Sequence, residues 1–187
     1  PQAGMGVHSG DYDNDGDFDL FVTNFSDDVN TLYRNDDEHF VDNTYGAGLG
    51  GSVRPYLGWG TGFFDFDNDG WLDLFVANGH VMDIIADVSE EQTHAQANQM
   101  MRNTNGHFED ASAVLGSALA VVEVSRGTAV ADYDNDGDLD LFVGNESEKE
   151  IRSHDSVGDF PSQLFQNNGD GTFTDIAATA GVQNNRF

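Results

Sequence analysis

The sequence has no cysteine, a single lysine (Lys149) and only 3 prolines in 187 residues. Without thiols there is no disulfide framework and no thiolate metal site. With 7 basic residues against 34 acidic ones, the formal charge is −27. A field of that sign repels phosphate backbones and anionic lipid, so nucleic acid and membrane surfaces are poor partners. A divalent cation is the natural counter-charge. No stretch reads as a signal peptide, and no apolar run is long enough to span a bilayer, which argues against membrane insertion. The chain opens at Pro1 without a methionine, as a processed chain or a segment of a longer one would.

What is present suits short strands and tight turns. Apolar residues make up 38%, with 22 glycines and 14 phenylalanines, too much apolar content for a disordered acidic tail. One stretch also recurs. "DYDNDGDFDLFVTN" at Asp11 is matched by "DFDNDGWLDLFVAN" at Asp65 and "DYDNDGDLDLFVGN" at Asp132. A glycine stands five residues before each first Asp, at Gly6, Gly60 and Gly127. Downstream come "NTLYRN", "NQMMRN" and "SQLFQN", then a polar turn, then "HFVDNT", "HFEDAS" and "TFTDIA". Asp42, Asp110 and Asp175 are each followed six residues later by a glycine, Gly48, Gly116 and Gly181.

This order of parts predicts four short strands per unit, with units at 1–50, 51–117 and 118–187. The first strand enters the acid cluster and the second leaves it. The third is "TLYRN"-like and the fourth "HFVDNT"-like, joined by turns such as "NNGDGT". The continuously apolar "LFV" runs suit strands covered on both faces. "IAATAG" at Ile176 reads as a helical turn ended by glycine. Two insertions interrupt the scheme: 79–97, with helical character, and 146–161, a polar loop. Repeated four-stranded units of this size build propeller blades, and a single blade cannot bury both of its faces alone. The fold class expected is therefore all-β, three four-stranded propeller-type blades.

Within each acid cluster, positions one, three, five and nine are always Asp. These are Asp11, Asp13, Asp15 and Asp19; Asp65, Asp67, Asp69 and Asp73; Asp132, Asp134, Asp136 and Asp140. Position six is always glycine (Gly16, Gly70, Gly137), which allows the left-handed backbone that folds a loop back. Position seven varies (Asp17, Trp71, Asp138), as suits a residue offering only its carbonyl. Four carboxylates and a carbonyl form an all-oxygen cage that fits Ca²⁺ better than Mg²⁺ or Zn²⁺. Two carboxylates ~4 Å apart repel by ~4 kcal/mol at an effective dielectric of ~20, and a bound divalent ion reverses that sign. Three Ca²⁺ sites are expected, each stapling the first two strands of its unit. A merely solvated acidic face would not fix the same positions three times. An EF-hand shares D-x-D-x-D-G but needs a Glu at position twelve between helices. Position twelve here is Val22, Val76 or Val143.

These residues resemble FG-GAP/VCBS repeats, of the kind found in integrin α-subunit propellers and ASPIC/UnbV-type secreted proteins. The resemblance covers nearly the whole chain outside the insertions. It implies propeller blades with calcium between the first two strands of each, an extracellular setting, and the twelve aspartates above plus the carbonyls of Asp17, Trp71 and Asp138 as ligands. It says little about activity. Propellers of that family usually have about seven blades, and closed ones have at least four. Three blades imply a larger propeller, a partner chain or an open stack. Six residues follow Gly181 and Asp11 is the eleventh residue, so joining one copy's end to another's beginning spaces them by 17, as Gly48 is spaced from Asp65. Head-to-tail stacking into a ring or filament is accordingly expected.

Asn24 and Asn145 open N-glycosylation sequons, yet Asn78 holds the same repeat position without one, so a turn role serves all three. His39 and His107 share a hairpin position. His80, His94, Glu90 and Glu91 lie in or beside the first insertion, and His154 and Asp155 lie in the second. None has metal-ligand or triad spacing. Arg54, Tyr56 and Trp59 precede the second acid loop, where strand packing is the default and carbohydrate stacking the alternative. The expectation is a secreted, calcium-binding module acting in structure, adhesion or assembly, with no catalytic residues. The alternatives are a polysaccharide- or ester-cleaving scaffold with its site on the insertions, and a receptor fragment binding a protein or glycan.

Overall fold

A strand on each side of an acid loop is what the flanking apolar residues demand. The computed structural model describes residues 2–37, 39–51, 56–146 and 160–183. The first unit forms β1 (Gly4–Gly10), β2 (Asp19–Asn24), β3 (Thr31–Asp36) and β4 (His39–Asp42). The second forms β5 (Gly58–Phe64), β6 (Asp73–Asn78), β7 (Gln96–Ala97), β8 (Gln99–Thr104) and β9 (His107–Asp110). The third forms β10 (Val122–Glu123), β11 (Ser125–Ala131), β12 (Asp140–Asn145), β13 (Gln163–Asn167), β14 (Phe173–Asp175) and the short helix α1 (Ala177–Ala180).

Three four-stranded antiparallel sheets result, in the orders β1-β2-β3-β4, β5-β6-β8-β9 and β11-β12-β13-β14. Each acid loop is the β-turn region between the first two strands of its sheet, so helices do not flank it and the EF-hand alternative fails. A small fourth sheet pairs β10 with β7, tying the first insertion to the entry of the third unit. That insertion was expected to be helical. It holds one 3₁₀ turn, Ile85–Asp87, with no side-chain cap to extend it. By contrast, α1 follows the expectation, ending on Gly181 in the left-handed conformation at φ 72°.

The sheets stack in chain order, with β5 packed between β1 and β11. The "LFV" runs explain how. In a strand, alternate side chains point to opposite faces. Phe21 and Leu32 of the first sheet meet Leu74, Val76 and Met101 of the second. Phe75 and Met100 on the second sheet's other face meet Leu141, Val143 and Phe165 of the third. The Leu and Val thus face the preceding sheet and the Phe faces the following one. β6 is buried along its whole length, as a strand covered on both faces should be. The outer sheets each keep one open face, and among the described residues the stack does not close into a ring.

The first-strand glycines serve this stacking. Each first strand has a register irregularity at its start, between Gly4 and Gly6, Gly58 and Thr61, or Ser125 and Gly127. A Cβ on Gly6 would lie 2.2 Å from the carbonyl oxygen of Trp59 in the next sheet, and one on Gly60 would lie 2.7 Å from the amide nitrogen of Thr128. No larger residue permits that approach. Thr23 Oγ1 completes the first of these contacts by donating to the Trp59 carbonyl at 2.6 Å.

Candidate metal centres

The acid loops are built alike. The position-four asparagines, Asn14, Asn68 and Asn135, sit in the left-handed region at φ 57°, 57° and 62°, followed two residues later by Gly16, Gly70 and Gly137 at φ 100°, 89° and 100°. These reversals curl the chain around its own carboxylates. The position-one carboxylates receive the amides of positions five and six: Asp11 from Asp15 and Gly16 (3.1 and 3.0 Å), Asp65 from Asp69 and Gly70 (3.0 and 2.8 Å), Asp132 from Asp136 and Gly137 (3.2 and 3.3 Å). The position-five carboxylates receive the amide of position seven, from Asp17, Trp71 and Asp138, each at 2.9 Å.

The result is convergence. One carboxylate oxygen from each of Asp11, Asp13 and Asp15 lies within 4.8 Å of the others, as do those of Asp132, Asp134 and Asp136, and those of Asp65, Asp67 and Asp73. Positions one and three therefore converge in all three loops. Asp69 is outside the second group, and Asp19 and Asp140 are outside the first and third. The donor chemistry fits a hard cation. Asp13 Oδ1 and Asp67 Oδ1 are buried with no hydrogen-bond partner, a costly state that a cation would relieve.

Position nine has a task in all three loops that Asp73 performs from within the second group. Asp19 accepts from the amides of Tyr12 (3.2 Å) and Asn35 (2.8 Å), Asp73 from Phe66 (3.1 Å) and Asn103 (2.7 Å), and Asp140 from Tyr133 (2.7 Å) and Asn167 (2.9 Å). Each carboxylate is a strut joining the loop to the third strand. These side chains are buried, and burial pushes the Asp19 carboxyl up to about 6 and that of Asp73 up to about 7, partly offset by those amides. Burial also raises Asp13 and Asp67, the latter opposed by Arg102, whose guanidinium lies 2.7 Å from Asp67 Oδ2 and over the Phe66 ring. The equivalent Gln166 donates to Asp134, whereas Arg34 pairs with Asp36 instead.

Two sets of asparagines were not singled out in the sequence, although both are invariant across the three copies. Asn14 Nδ2 donates to the Gly70 carbonyl at 3.2 Å and Asn68 Nδ2 to Asp138 Oδ1 at 2.7 Å, so each loop touches the next. Asp138 thus spends its side chain on a neighbouring loop. The last residue of each "LYRN" segment reaches backward. Asn103 Nδ2 donates to the Tyr12 carbonyl at 2.7 Å and Asn167 Nδ2 to the Phe66 carbonyl at 2.8 Å, both across a sheet–sheet junction.

The remaining candidates have structural surroundings. Asn24 is buried and donates to the Val29 carbonyl at 2.7 Å, Asn78 to that of Ala97 at 2.9 Å, and Asn145 to that of Pro161 at 2.7 Å. All three close the loop after the second strand, and a glycan on Asn24 or Asn145 would have to displace that bond. His39 and His107 open β4 and β9. His80 is buried, accepts from the Met82 amide at 3.0 Å and faces Ser26 and the Phe25 ring. Burial lowers its pKa. His94 meets the Phe160 ring edge-on. Trp59 is covered by the Arg126 guanidinium, 4.6 Å from its ring centre, which favours packing there over sugar stacking. Glu91 and Tyr56 line a cleft of about 350 Å³ between the insertion and β10. Glu90 is exposed. Arg54, His154 and Asp155 lie outside the described residues, as does most of the 146–161 insertion.

No curated protein matches the chain. The sequence model of the FG-GAP-like repeat family matches residues 4–76 and 81–143, the first match running from β1 through the "LFV" strand of the second unit and the second from the first insertion through the "LFV" strand of the third. Acid loop, strand order and sheet stacking recur within those spans, and the chain belongs to the FG-GAP-like repeat family.

Proposed function

We propose that the chain is a calcium-stabilised, β-propeller-type module of an extracellular protein, acting in structure, adhesion or assembly. The observation that carries this is the convergence of the position-one and position-three carboxylates in all three loops, with a buried, unpartnered oxygen on Asp13 and on Asp67. Acceptors without donors call for a cation, and all-oxygen donors call for a hard one. Calcium in each loop would neutralise the cluster and lock the first two strands of the sheet. Extracellular modules of this kind work at ~10⁻⁴–10⁻³ M affinity, and repeats of this family are typical of extracellular proteins. No helix among the described residues is long and apolar enough to cross a membrane.

Calorimetric titration tests the proposal. About three Ca²⁺ should bind per chain, and Asp13→Asn should remove one. A titration without heat or stoichiometric uptake would end it. The cleft beside Glu91 and Tyr56 favours a second reading, a ligand surface on the first insertion. Glycan and protein binding lost on replacing 81–93 by a short turn would support that role.

A further inference from the structure

Each internal junction between sheets is made from the same two contacts. In the first, the Tyr12 ring stacks on Phe108 at 5.7 Å and the Tyr12 carbonyl accepts from Asn103. In the second, the Phe66 ring meets Phe173 at 6.2 Å and the Phe66 carbonyl accepts from Asn167. The position-two aromatic of one sheet is thus clasped by the Phe and Asn of the next. Tyr12 and Phe66 are each 1% exposed, and Phe108 and Phe173 are 1% and 4% exposed.

The two open faces carry the unmatched halves of that clasp. On the third sheet, Tyr133 is 50% exposed. On the first, Phe40 is 49% exposed, and Asn35 Nδ2 donates to the Phe18 carbonyl within its own unit, at 3.3 Å, and not across to another sheet among the described residues. Leu20 and Val22 are half-buried where their counterparts Leu74, Val76, Leu141 and Val143 are fully buried. The clearance glycines agree. A Cβ on Gly6 or Gly60 would strike the next sheet, whereas one on Gly127 would meet nothing within 4 Å.

We infer that the open face of the third sheet docks on the open face of the first sheet of a second copy of this chain, placing Tyr133 against the partner copy's Phe40 and Asn35. The surfaces are complementary because they continue an interface this chain already makes twice. The contact is head-to-tail, and two copies closing on each other bring six blades, within the four to eight of closed propellers. This rests on the proposed calcium reading in one respect: two chains of charge −27 approach closely once their loops are neutralised.

Sedimentation of the full chain in calcium, over a range of concentrations, tests it. Twice the monomer mass is expected. Tyr133→Asp and Phe40→Asp should each raise the dissociation constant more than about tenfold while leaving the melting of the monomer unchanged. Mixing the two variants should restore a dimer, because one intact Tyr133–Phe40 pair survives. Gly127→Ala should likewise fold normally and dissociate. Larger, concentration-dependent species blocked by the same variants would support the contact in an open stack. A wild-type chain that stays monomeric, or a dimer indifferent to all three variants, overturns the inference. Calcium uptake by a strict monomer fails this inference alone; a dimer without calcium uptake fails the calcium reading alone.

Discussion

A carboxylate in an acid loop can serve as ligand, as strut or as both: Asp11 accepts two loop amides yet converges with Asp13 and Asp15, and Asp73 stands with Asp65 and Asp67 while bracing two elements. Asp73 holds the amides of Phe66 and Asn103, so Asp73→Ala leaves two buried donors without partners, at about 1–3 kcal/mol each. We expect urea denaturation in chelator to show a loss of roughly 3 kcal/mol, whereas Asp134→Asn, at an exposed position, should weaken only the calcium-loaded protein. The raised Asp19 and Asp73 pKa values set a pH signature. Their folded values, about 6 and about 7, lie above the ordinary unfolded value of ~3.9. Between these limits the metal-free folded state binds more protons than the unfolded one, so its stability falls as pH rises from about 4 to 7. Calcium requires deprotonated ligands, so the loaded protein should show the opposite slope. Denaturation midpoints at several pH values, with calcium and with chelator, should cross. The frame of aspartates was legible in the sequence because it repeats at fixed spacing. The division of labour was not, because the strut amides of Asn35, Asn103 and Asn167 lie 16 to 30 residues from the carboxylates they bind.

The strands were legible for a simpler reason. An uninterrupted "LFV" between turn residues favours cover on both faces, and three sheets stacked in order bury both faces of the middle one and one face of each outer one. The glycine before each acid loop was visible as a repeat, but its purpose became clear only from the neighbouring backbone at Trp59 and Thr128. Gly60→Ala should destabilise the fold by about 1–3 kcal/mol through overpacking, and Gly127→Ala should be near neutral in the isolated chain; thermal melts of the two variants in dilute solution decide this. The first insertion was expected to have helical character. A single 3₁₀ turn without a capping side chain is what forms, and the segment is held instead by β7 pairing with β10 and by Arg126 donating to the carbonyls of Gly79 and His80. The asparagines that bridge sheets were hidden as well. Their partners lie 91 and 101 residues away, and nothing local marks a side chain that reaches to another unit.

At the scale of the whole molecule, a chain of charge −27 stacks three sheets so that their acid loops adjoin. Asn14 and Asn68 link consecutive loops, so the clusters add their repulsion unless cations offset it. Three sites of ~10⁻⁴ M affinity would each contribute about 1.4 kcal/mol at ~1 mM calcium. Thermal unfolding with and without calcium is therefore the decisive measurement. In ~1 mM calcium the midpoint should rise by about 10 °C over that in chelator, and the rise should shrink when Asp13, Asp67 or Asp134 is replaced by Asn. A midpoint that does not move between calcium and chelator would contradict the account.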